Sequence, residues 1–468
     1  MMSVRERIAH LPAEQREKFA TLVRAIPAPL RYGPVYRKTR QDIRKAETTP
    51  FWGQQERRRL LEKVLKAAAQ TSYYGKNPDY RALQTFGKNV DKDPFAVLSE
   101  LPILTRAALS ENTKDMIVPS VASKVELVAS SGTSGSPILF HLDKARGASE
   151  WGYVQNTWER TTGYQLGEWR LFLRGAVEFD QSADYMVQAA TGEVVLRIQA
   201  LSPERIHEHW KLVTDRKIRY LHGYPASIDY MARLLETHCP DDTWRYQIKG
   251  ILTVSEEFTV AQAETFGRVF PNAVVSNFYG LSERTVFAPM DGDWVFHPEP
   301  LYGVTEVVRE DGSAVGVGER GRIVTTGLRL RGHPFVRYDT GDSAEVVGFN
   351  VWGDPLFRDI KARRGREGLV RRDGTLFPTT PLNVHGHQFL CVNRFRFRQD
   401  EPGKAVLMIE PSAQATRDEL DDFYTTMIGR TKDQVELGLE IVDRLQVPPS
   451  GKSRLVDQNI PNVATTWA

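Results

Sequence analysis

The sequence predicts an α/β protein with a large N-terminal domain and a small α+β C-terminal domain. Its 468 residues exceed the size of one typical hydrophobic core, so more than one domain is expected. Between about residues 125 and 345, short apolar runs alternate with helical segments, which is typical of layered α/β sheets. A Gly- and Arg-rich stretch, 363–368, then precedes a segment with its own strand and helix patterns. We therefore place the two domains at 1–365 and 366–468.

The first 75 or so residues are predicted to be helical. Apolar side chains recur at helical spacing among Glu, Lys and Arg from Leu60 to Ala68. The neighbouring run Arg57-Arg58-Arg59 is predicted to lie on a solvated helix face. Tyr73-Tyr74-Gly75 ends this stretch, and Pro102 disfavours helix at the residue before it.

Strand patterns begin with the alternating side chains Val125, Leu127 and Ala129. Further strands of the large domain are predicted at 171–173, 220–221, 251–252 and 274–275. A small β subdomain beside the main sheets is predicted from 319–326 and 344–348. The C-terminal segment has strand patterns at 406–409 and 435–441 around an amphipathic helix that contains Leu420, Phe423, Tyr424 and Met427.

Composition and charge bear on several classes of protein. The net charge of +3 argues neither for nor against a nucleic acid, but no Lys/Arg tract suggests a polyanion, so we expect no nucleic acid as partner. The two cysteines, Cys239 and Cys391, lie far apart, which argues against a structural zinc site or a disulfide scaffold. Neither a signal peptide nor an apolar run of membrane-spanning length is evident. We expect a protein of the reducing cytoplasm with no membrane partner.

A hydroxyl- and glycine-rich segment follows the first predicted strand. It reads Ser130-Ser131-Gly132-Thr133-Ser134-Gly135-Ser136-Pro137. Glycine lets backbone N–H groups approach an anion closely, and the hydroxyls add further donors, so a phosphate cradle is one interpretation. It is not a Walker A loop, because no Gly-Lys-Ser/Thr follows. An ordinary polar surface loop is the alternative.

Four further motifs follow in a fixed order: Tyr279-Gly280-Leu281-Ser282-Glu283, Arg337-Tyr338-Asp339-Thr340-Gly341-Asp342, Gly365-Arg366, and Pro449-Ser450-Gly451-Lys452. Together with the hydroxyl-rich segment, this order resembles the adenylate-forming superfamily of acyl-CoA synthetases, peptide synthetase adenylation domains and luciferases. The segments 221–225, 252–257 and 334–338 are most similar to the branch of phenylacetate-CoA ligase and CapK-type proteins. The resemblance covers nearly the whole chain.

The resemblance implies an acid–thiol ligase that uses ATP, Mg²⁺ and coenzyme A. The large domain would bind ATP and the acid, and the mobile C-terminal domain would carry the catalytic lysine. The phosphates would be held by Ser130, Ser131, Gly132, Thr133, Ser134 and Gly135. Glu283 would be a catalytic residue and the ligand of Mg²⁺. The remaining nucleotide contacts implied by the resemblance are Ser255, Glu256, Tyr279, Gly280 and Ser282.

Three other positions carry specific expectations. A carboxylate suits the two vicinal hydroxyls of ribose, and Asp342 matches the family residue with this role. Arg366 matches the family arginine near the hinge, with Arg364 as a rival. The family Asp that normally follows at the pivot is absent, because Glu367 and Gly368 come next. Lys452 matches the lysine that would neutralise charge at the α-phosphate during adenylation.

The acid pocket is expected to be aromatic, with Trp151, Tyr153, His222, Tyr224 and Phe278 along its walls, so we predict an aromatic acid. The motifs report on ATP and leave the acceptor open. An amine, a hydroxyl or a carrier-protein thiol could replace coenzyme A. A non-catalytic, nucleotide-binding assembly protein is the alternative of another class, and a homodimer is also left open.

Overall fold

The structure is a computed structural model. It describes residues 26, 28–86, 92–129, 139–174, 183–362, 368–374, 376–378, 391–431, 434–446 and 455–460. The fold is mixed α/β, with 39% helix and 28% strand, which confirms the predicted fold class. By their internal contacts, the described residues form two compact units. Unit A contains 28–157 and 277–362, and unit B contains residue 26, 158–276 and the described residues from 368 to 460.

The helices are numbered in chain order: α1 (Ala28–Arg31), α2 (Gly33–Thr48), α3 (Pro50–Ala69), α4 (Ser72–Lys76), α5 (Arg81–Phe86), α6 (Pro94–Glu100), α7 (Arg106–Asn112), α8 (Arg146–Thr162), α9 (Ile206–Asp215), α10 (Pro225–His238), α11 (Val260–Val269) and α12 (Arg417–Thr431). Short 3-10 helices lie at Pro78–Tyr80, Pro119–Lys124, Ile198–Ala200 and Thr243–Gln247. No helix in the described ranges is both long enough and apolar enough to cross a membrane.

The first ten strands are β1 (Val125–Ala129), β2 (Leu139–Asp143), β3 (Arg170–Arg174), β4 (Tyr185–Gln188), β5 (Glu193–Arg197), β6 (Tyr220–Gly223), β7 (Gly250–Thr253), β8 (Val274–Ser276), β9 (Phe278–Gly280) and β10 (Phe287–Pro289). The others are β11 (Gly303–Val308), β12 (Arg320–Gly327), β13 (Tyr338–Phe349), β14 (Pro355–Ala362), β15 (Gly368–Val370), β16 (Leu376–Pro378), β17 (Val392–Glu401), β18 (Lys404–Pro411), β19 (Glu436–Ile441) and β20 (Val456–Gln458).

Unit A combines a helical core with antiparallel sheet. The predicted helical stretch lies within α3, whose apolar face is buried with no exposed area at Leu61, Val64 and Leu65. This face belongs to a hydrophobic core with residues of β2 and β11. Strands β11, β12, β13 and β14 form one four-stranded antiparallel sheet. The two strands predicted for a small β subdomain are neighbours in it, as β12 and β13.

The run of three arginines on α3 is not simply a solvated face, as the sequence predicted. The side chain of Arg57 is buried and forms an ion pair with the buried carboxylate of Asp354. Its Nη1 also donates to the carbonyl oxygen of Trp352, at 2.6 Å. Only Arg58 and Arg59 keep about half of their side chains in solvent. The prediction failed because a basic run gives no signal of a buried acid almost 300 residues away.

Unit B contains a six-stranded sheet in the order β4-β5-β3-β6-β7-β8. All neighbouring pairs are parallel except β4 with β5. The predicted strands near 172, 221, 251 and 275 are β3, β6, β7 and β8. Strands β6 and β7 are buried along their whole length, as expected for parallel strands with both faces covered.

The C-terminal part of unit B has its own four-stranded sheet, in the order β19-β18-β17-β20, with α12 against it. Phe397, Leu407, Phe423 and Met427 are buried in a hydrophobic core made of residues beyond 368. The predicted strands and amphipathic helix of this segment are therefore present. The division of the chain into domains 1–365 and 366–468 stays a prediction.

Candidate functional site

Two of the sequence motifs meet in unit A. Tyr279 lies in β9, which pairs with β10, and Asp342 lies in β13. The Tyr279 hydroxyl donates a hydrogen bond to Asp342 Oδ2 at 2.7 Å. Burial, and then the charge of Asp342, raises the pKa of Tyr279 well above its usual value. The phenol therefore stays neutral at physiological pH and remains a donor to the carboxylate.

A second hydrogen bond joins the same two motifs. Glu283 is 3% exposed, and its Oε1 accepts a hydrogen bond from the hydroxyl of Tyr338 at 2.8 Å. Tyr338 is fully buried at the start of β13, where it pairs with Thr325 and bridges to Leu104. The backbone around Tyr338 is thus fixed, and the phenol fixes the carboxylate. This role was not predicted from the sequence, although Tyr338 stands inside the motif from Arg337 to Asp342.

Arg337, the first residue of the motif that contains Tyr338 and Asp342, has a structural role. Arg337 has a positive φ of 47° and is buried. Its guanidinium donates to both carboxylate oxygens of Glu306, at 2.9 and 3.1 Å, and to the carbonyl oxygen of Leu101 at 2.6 Å. These bonds hold β13 against β11 and against the segment after α6. Such a bidentate pair fixes direction as well as position.

A bulge sets the direction of Asp342. Asp339 pairs with Val324 and Ser343 pairs with Arg322, so three residues of β13 oppose the single residue between those partners on β12. Gly341 lies inside this bulge with a φ of 78°, a conformation that glycine adopts without steric cost. Asp339 is held by Arg322 Nη1 at 2.9 Å. Bulges of this kind are frequent beside functional sites, where they redirect a side chain.

Other predicted residues lie at one edge of the large sheet in unit B. Tyr224 directly follows β6, and Ser255 and Glu256 follow the neighbouring parallel strand β7. Glu256 Oε2 accepts from the backbone N–H of Ala226 at 3.4 Å, so the two loops are in contact. Ser255 is exposed and has a positive φ of 62°. The carboxyl ends of parallel strands are the usual binding edge of such sheets.

Among the residues predicted for the acid pocket, Tyr153, Phe278 and His222 pack against other rings. In unit A, Tyr153 is 1% exposed and lies edge-on to Tyr302, with 5.0 Å between the ring centroids. Phe278 stacks on Phe287 with a centroid distance of 4.4 Å. Trp151 is half-buried. In unit B, the ring of His222 stacks at 4.0 Å on Phe172. Their role in binding an acid stays a prediction.

Several predicted residues lie outside the described part of the chain: Ser130, Ser131, Gly132, Thr133, Ser134, Gly135, Arg366 and Lys452. Of the others, Gly280 is exposed and Ser282 is half-buried, both within five residues of Glu283. Among the residues that the structure describes, no group of three or more His, Cys, Asp or Glu side chains could hold a metal ion. A metal held mainly by ligand phosphates needs only one or two protein carboxylates.

No protein-family model matches the chain, and no curated protein sequence does. The fold, however, matches solved structures. A 2-hydroxyisobutyryl-CoA ligase in the postadenylation state, in complex with R3-HIB-AMP, aligns with a TM-score of 0.60 and 17% identity, over 87% of this chain and 89% of that chain. The acyl acid amido synthetase AtGH3.15, in complex with 2,4-DB, aligns with a TM-score of 0.52 and 16% identity, over 83% and 86%. The chain therefore has the fold of the adenylate-forming enzymes.

Proposed function

We propose that the protein activates a carboxylic acid with ATP and Mg²⁺ as an acyl-adenylate, releases pyrophosphate, and then transfers the acyl group to coenzyme A. The observation that carries this proposal is the pair of hydrogen bonds in unit A. Asp342 is held by Tyr279, and Glu283 is held by Tyr338. Two carboxylates fixed by phenols, on a fold that matches adenylate-forming enzymes, suit a ribose contact and a metal contact.

In the first reaction, a carboxylate oxygen of the acid attacks the α-phosphorus of ATP, and the bond from that phosphorus to the pyrophosphate oxygen breaks. Asp342 would accept hydrogen bonds from the ribose hydroxyls. The ring of Tyr279 would stack on adenine, while its hydroxyl keeps Asp342 in place. Catalysis of phosphoryl transfer depends mainly on such positioning and on charge stabilisation.

Glu283 fits a magnesium ligand, because it is a preoriented carboxylate and Mg²⁺ prefers oxygen ligands. Bound Mg²⁺ would neutralise charge on the phosphates. Ser282, Gly280, Ser255, Glu256, Arg366 and the segment from Ser130 to Gly135 are the further nucleotide contacts that we propose. Lys452 would neutralise the developing charge at the α-phosphate.

Coenzyme A is the proposed acceptor because the sequence motifs are most similar to a branch of CoA ligases. The match to a CoA ligase fold is consistent with it. The second candidate is amide synthesis, in which an amine takes the place of coenzyme A. The match to an acyl acid amido synthetase favours it over a hydroxyl or a carrier-protein thiol. An aromatic acid, a cytoplasmic location and any homodimer remain predictions.

The first test is pyrophosphate release by the purified protein with ATP, Mg²⁺ and a panel of aromatic and aliphatic acids. Release with at least one acid is expected, and none with any acid would sink the proposal. The active acid is then supplied with coenzyme A, with amines and with carrier proteins. Acceleration by an amine or a carrier protein, with no effect of coenzyme A, would replace the ligase assignment by the alternative.

The site assignment is tested by Asp342→Ala. We expect a KM for ATP that is raised more than tenfold, since each hydrogen bond to a charged carboxylate is worth about 1.5–3 kcal/mol. Glu345→Ala is the matched control, because this acid lies farther along the same strand, pairs with Arg358 and has no proposed ligand. An unchanged KM for ATP in Asp342→Ala would remove this residue from the site.

A further inference from the structure

The residue directly after Glu283 has an unusual backbone conformation. Arg284 has a positive φ of 58°, in the left-handed region that side chains other than glycine rarely adopt. Such a conformation persists only where the surroundings impose it. The direction in which the chain leaves Glu283 therefore depends on whatever holds Arg284.

Glu150, on α8, holds Arg284. Arg284 Nη1 donates to Glu150 Oε1 at 2.5 Å, and the hydroxyl of Tyr302 donates to Glu150 Oε2. Both carboxylate oxygens are thus engaged, one by the arginine and one by a buried phenol. Burial, and then the charge of Glu150, raises the pKa of Tyr302 well above its usual range, so this phenol stays a donor. The side chain of Glu150 is 14% exposed and that of Arg284 is 39% exposed, so the carboxylate is largely shielded while the guanidinium is partly in solvent.

The segment after Arg284 is equally constrained. Thr285 is fully buried, and its Oγ1 accepts a hydrogen bond from Thr325 at 2.8 Å. Gly303 approaches so closely that a Cβ there would lie 2.1 Å from the carbonyl oxygen of Thr285. The two neighbours of Arg284 are therefore fixed by Tyr338 and by Thr325. Arg284 is the link between them, and its φ decides whether both contacts form together.

We propose that Glu150 is a positioning residue for Glu283. By holding Arg284 in the left-handed conformation, it orients the Glu283 carboxylate before nucleotide and metal arrive. Glu150 acts through Arg284 and contacts no reacting atom. The proposal rests on the proposed function, since it assigns to Glu283 the role of a metal ligand.

Arg284→Gly is the decisive variant, because glycine adopts a positive φ without a side-chain contact to hold it there. We expect Arg284→Ala and Glu150→Ala each to reduce Mg²⁺-dependent pyrophosphate release about tenfold, the scale of one strained backbone conformation. Arg284→Gly should stay within about threefold of the wild type. The double variant Glu150→Ala/Arg284→Gly should be as active as Arg284→Gly. Equal losses in Arg284→Gly and Arg284→Ala would overturn the proposal, because they would mean that the arginine side chain itself is needed.

Two further measurements separate positioning from a purely structural role. The Mg²⁺ concentration that half-saturates pyrophosphate release should rise in Glu150→Ala and return in the double variant. The thermal midpoint is independent of activity. Glycine normally destabilises relative to alanine, yet Arg284→Gly should unfold at a higher temperature than Arg284→Ala. A lower thermal midpoint for Arg284→Gly than for Arg284→Ala would contradict the proposal that Glu150 holds Arg284 in the left-handed conformation. A wild type without pyrophosphate release would instead refute the proposed function, and the thermal midpoints would still test how Arg284 is held.

Discussion

Replacing Tyr338 by phenylalanine removes one oxygen atom from the centre of the proposed site. The ring of Tyr338 is fully buried and keeps its packing in the variant. The hydrogen bond to Glu283 Oε1 disappears. Because Glu283 is 3% exposed, bulk water cannot readily replace the lost donor. The variant therefore leaves the carboxylate in place and removes one of the contacts that orient it.

The size of the effect follows from the type of bond. A hydrogen bond to a charged acceptor contributes about 1.5–3 kcal/mol, and a tenfold change in rate corresponds to about 1.4 kcal/mol. If the whole bond serves to orient Glu283, adenylation should fall by roughly 10- to 150-fold at subsaturating Mg²⁺. The loss should shrink as Mg²⁺ rises, since the ion itself can hold the carboxylate in its coordination geometry.

The assay is pyrophosphate release measured over a titration of Mg²⁺ at saturating ATP. Tyr74→Phe is the matched control, because Tyr74 is also a fully buried tyrosine of unit A, and its hydroxyl donates to the carbonyl oxygen of Pro334 at 3.2 Å. We expect the control to lose some stability and to keep the wild-type Mg²⁺ dependence. If Tyr338→Phe and Tyr74→Phe have the same Mg²⁺ dependence, Tyr338 does not orient Glu283 for Mg²⁺.

Two predictions concern stability. Burial lowers the pKa of His333 from 6.5 to about 4, so the folded protein binds fewer protons than the unfolded chain between those values. The free energy of unfolding should therefore fall by about 3 kcal/mol from pH 6.5 to pH 4, and this part of the decrease should vanish in His333→Gln, measured by urea unfolding. Arg57→Met should cost about 3–5 kcal/mol by leaving Asp354 buried and unpaired. Arg57→Met/Asp354→Asn should recover more than half of this, and no recovery would argue against an unpaired charge as the cause.

The sequence predicted most elements whose signal is local. The helix around Leu60–Ala68 and the parallel strands near 221 and 251 were predicted correctly, because the spacing of apolar residues reflects the face that a segment buries. The motifs were also found, because their residue types and order are visible in the chain. Where the motifs carry side chains that meet each other, as Tyr279 and Asp342 do, the pairing could not be read from either motif alone.

Interactions between residues that are far apart in the chain could not be predicted from the sequence, for a physical reason. Arg57 is buried because Asp354 neutralises it, and Tyr338 acts on Glu283 from a strand that begins 55 residues later. The spacing of apolar residues predicts which apolar surface is buried. It gives no signal for a charged side chain that is buried together with an oppositely charged partner. Likewise, Glu150 has the sequence context of an ordinary helix residue, and only its contact with Arg284 marks it.

In the motif from Arg337 to Asp342, residues that fix the backbone lie next to the residue that is proposed to bind ribose. In a regular strand, side chains alternate between two faces, so Tyr338 and Asp342 would project in the same direction at a fixed spacing. The bulge at 340–342 changes that spacing and lets Tyr338 meet Glu283 while Asp342 meets Tyr279. Arg337 anchors the start of the strand through Glu306, and Asp339 accepts a hydrogen bond from the backbone N–H of Gly341 inside the bulge at 2.9 Å. These residues of the motif fix the irregular backbone from which the Asp342 carboxylate projects.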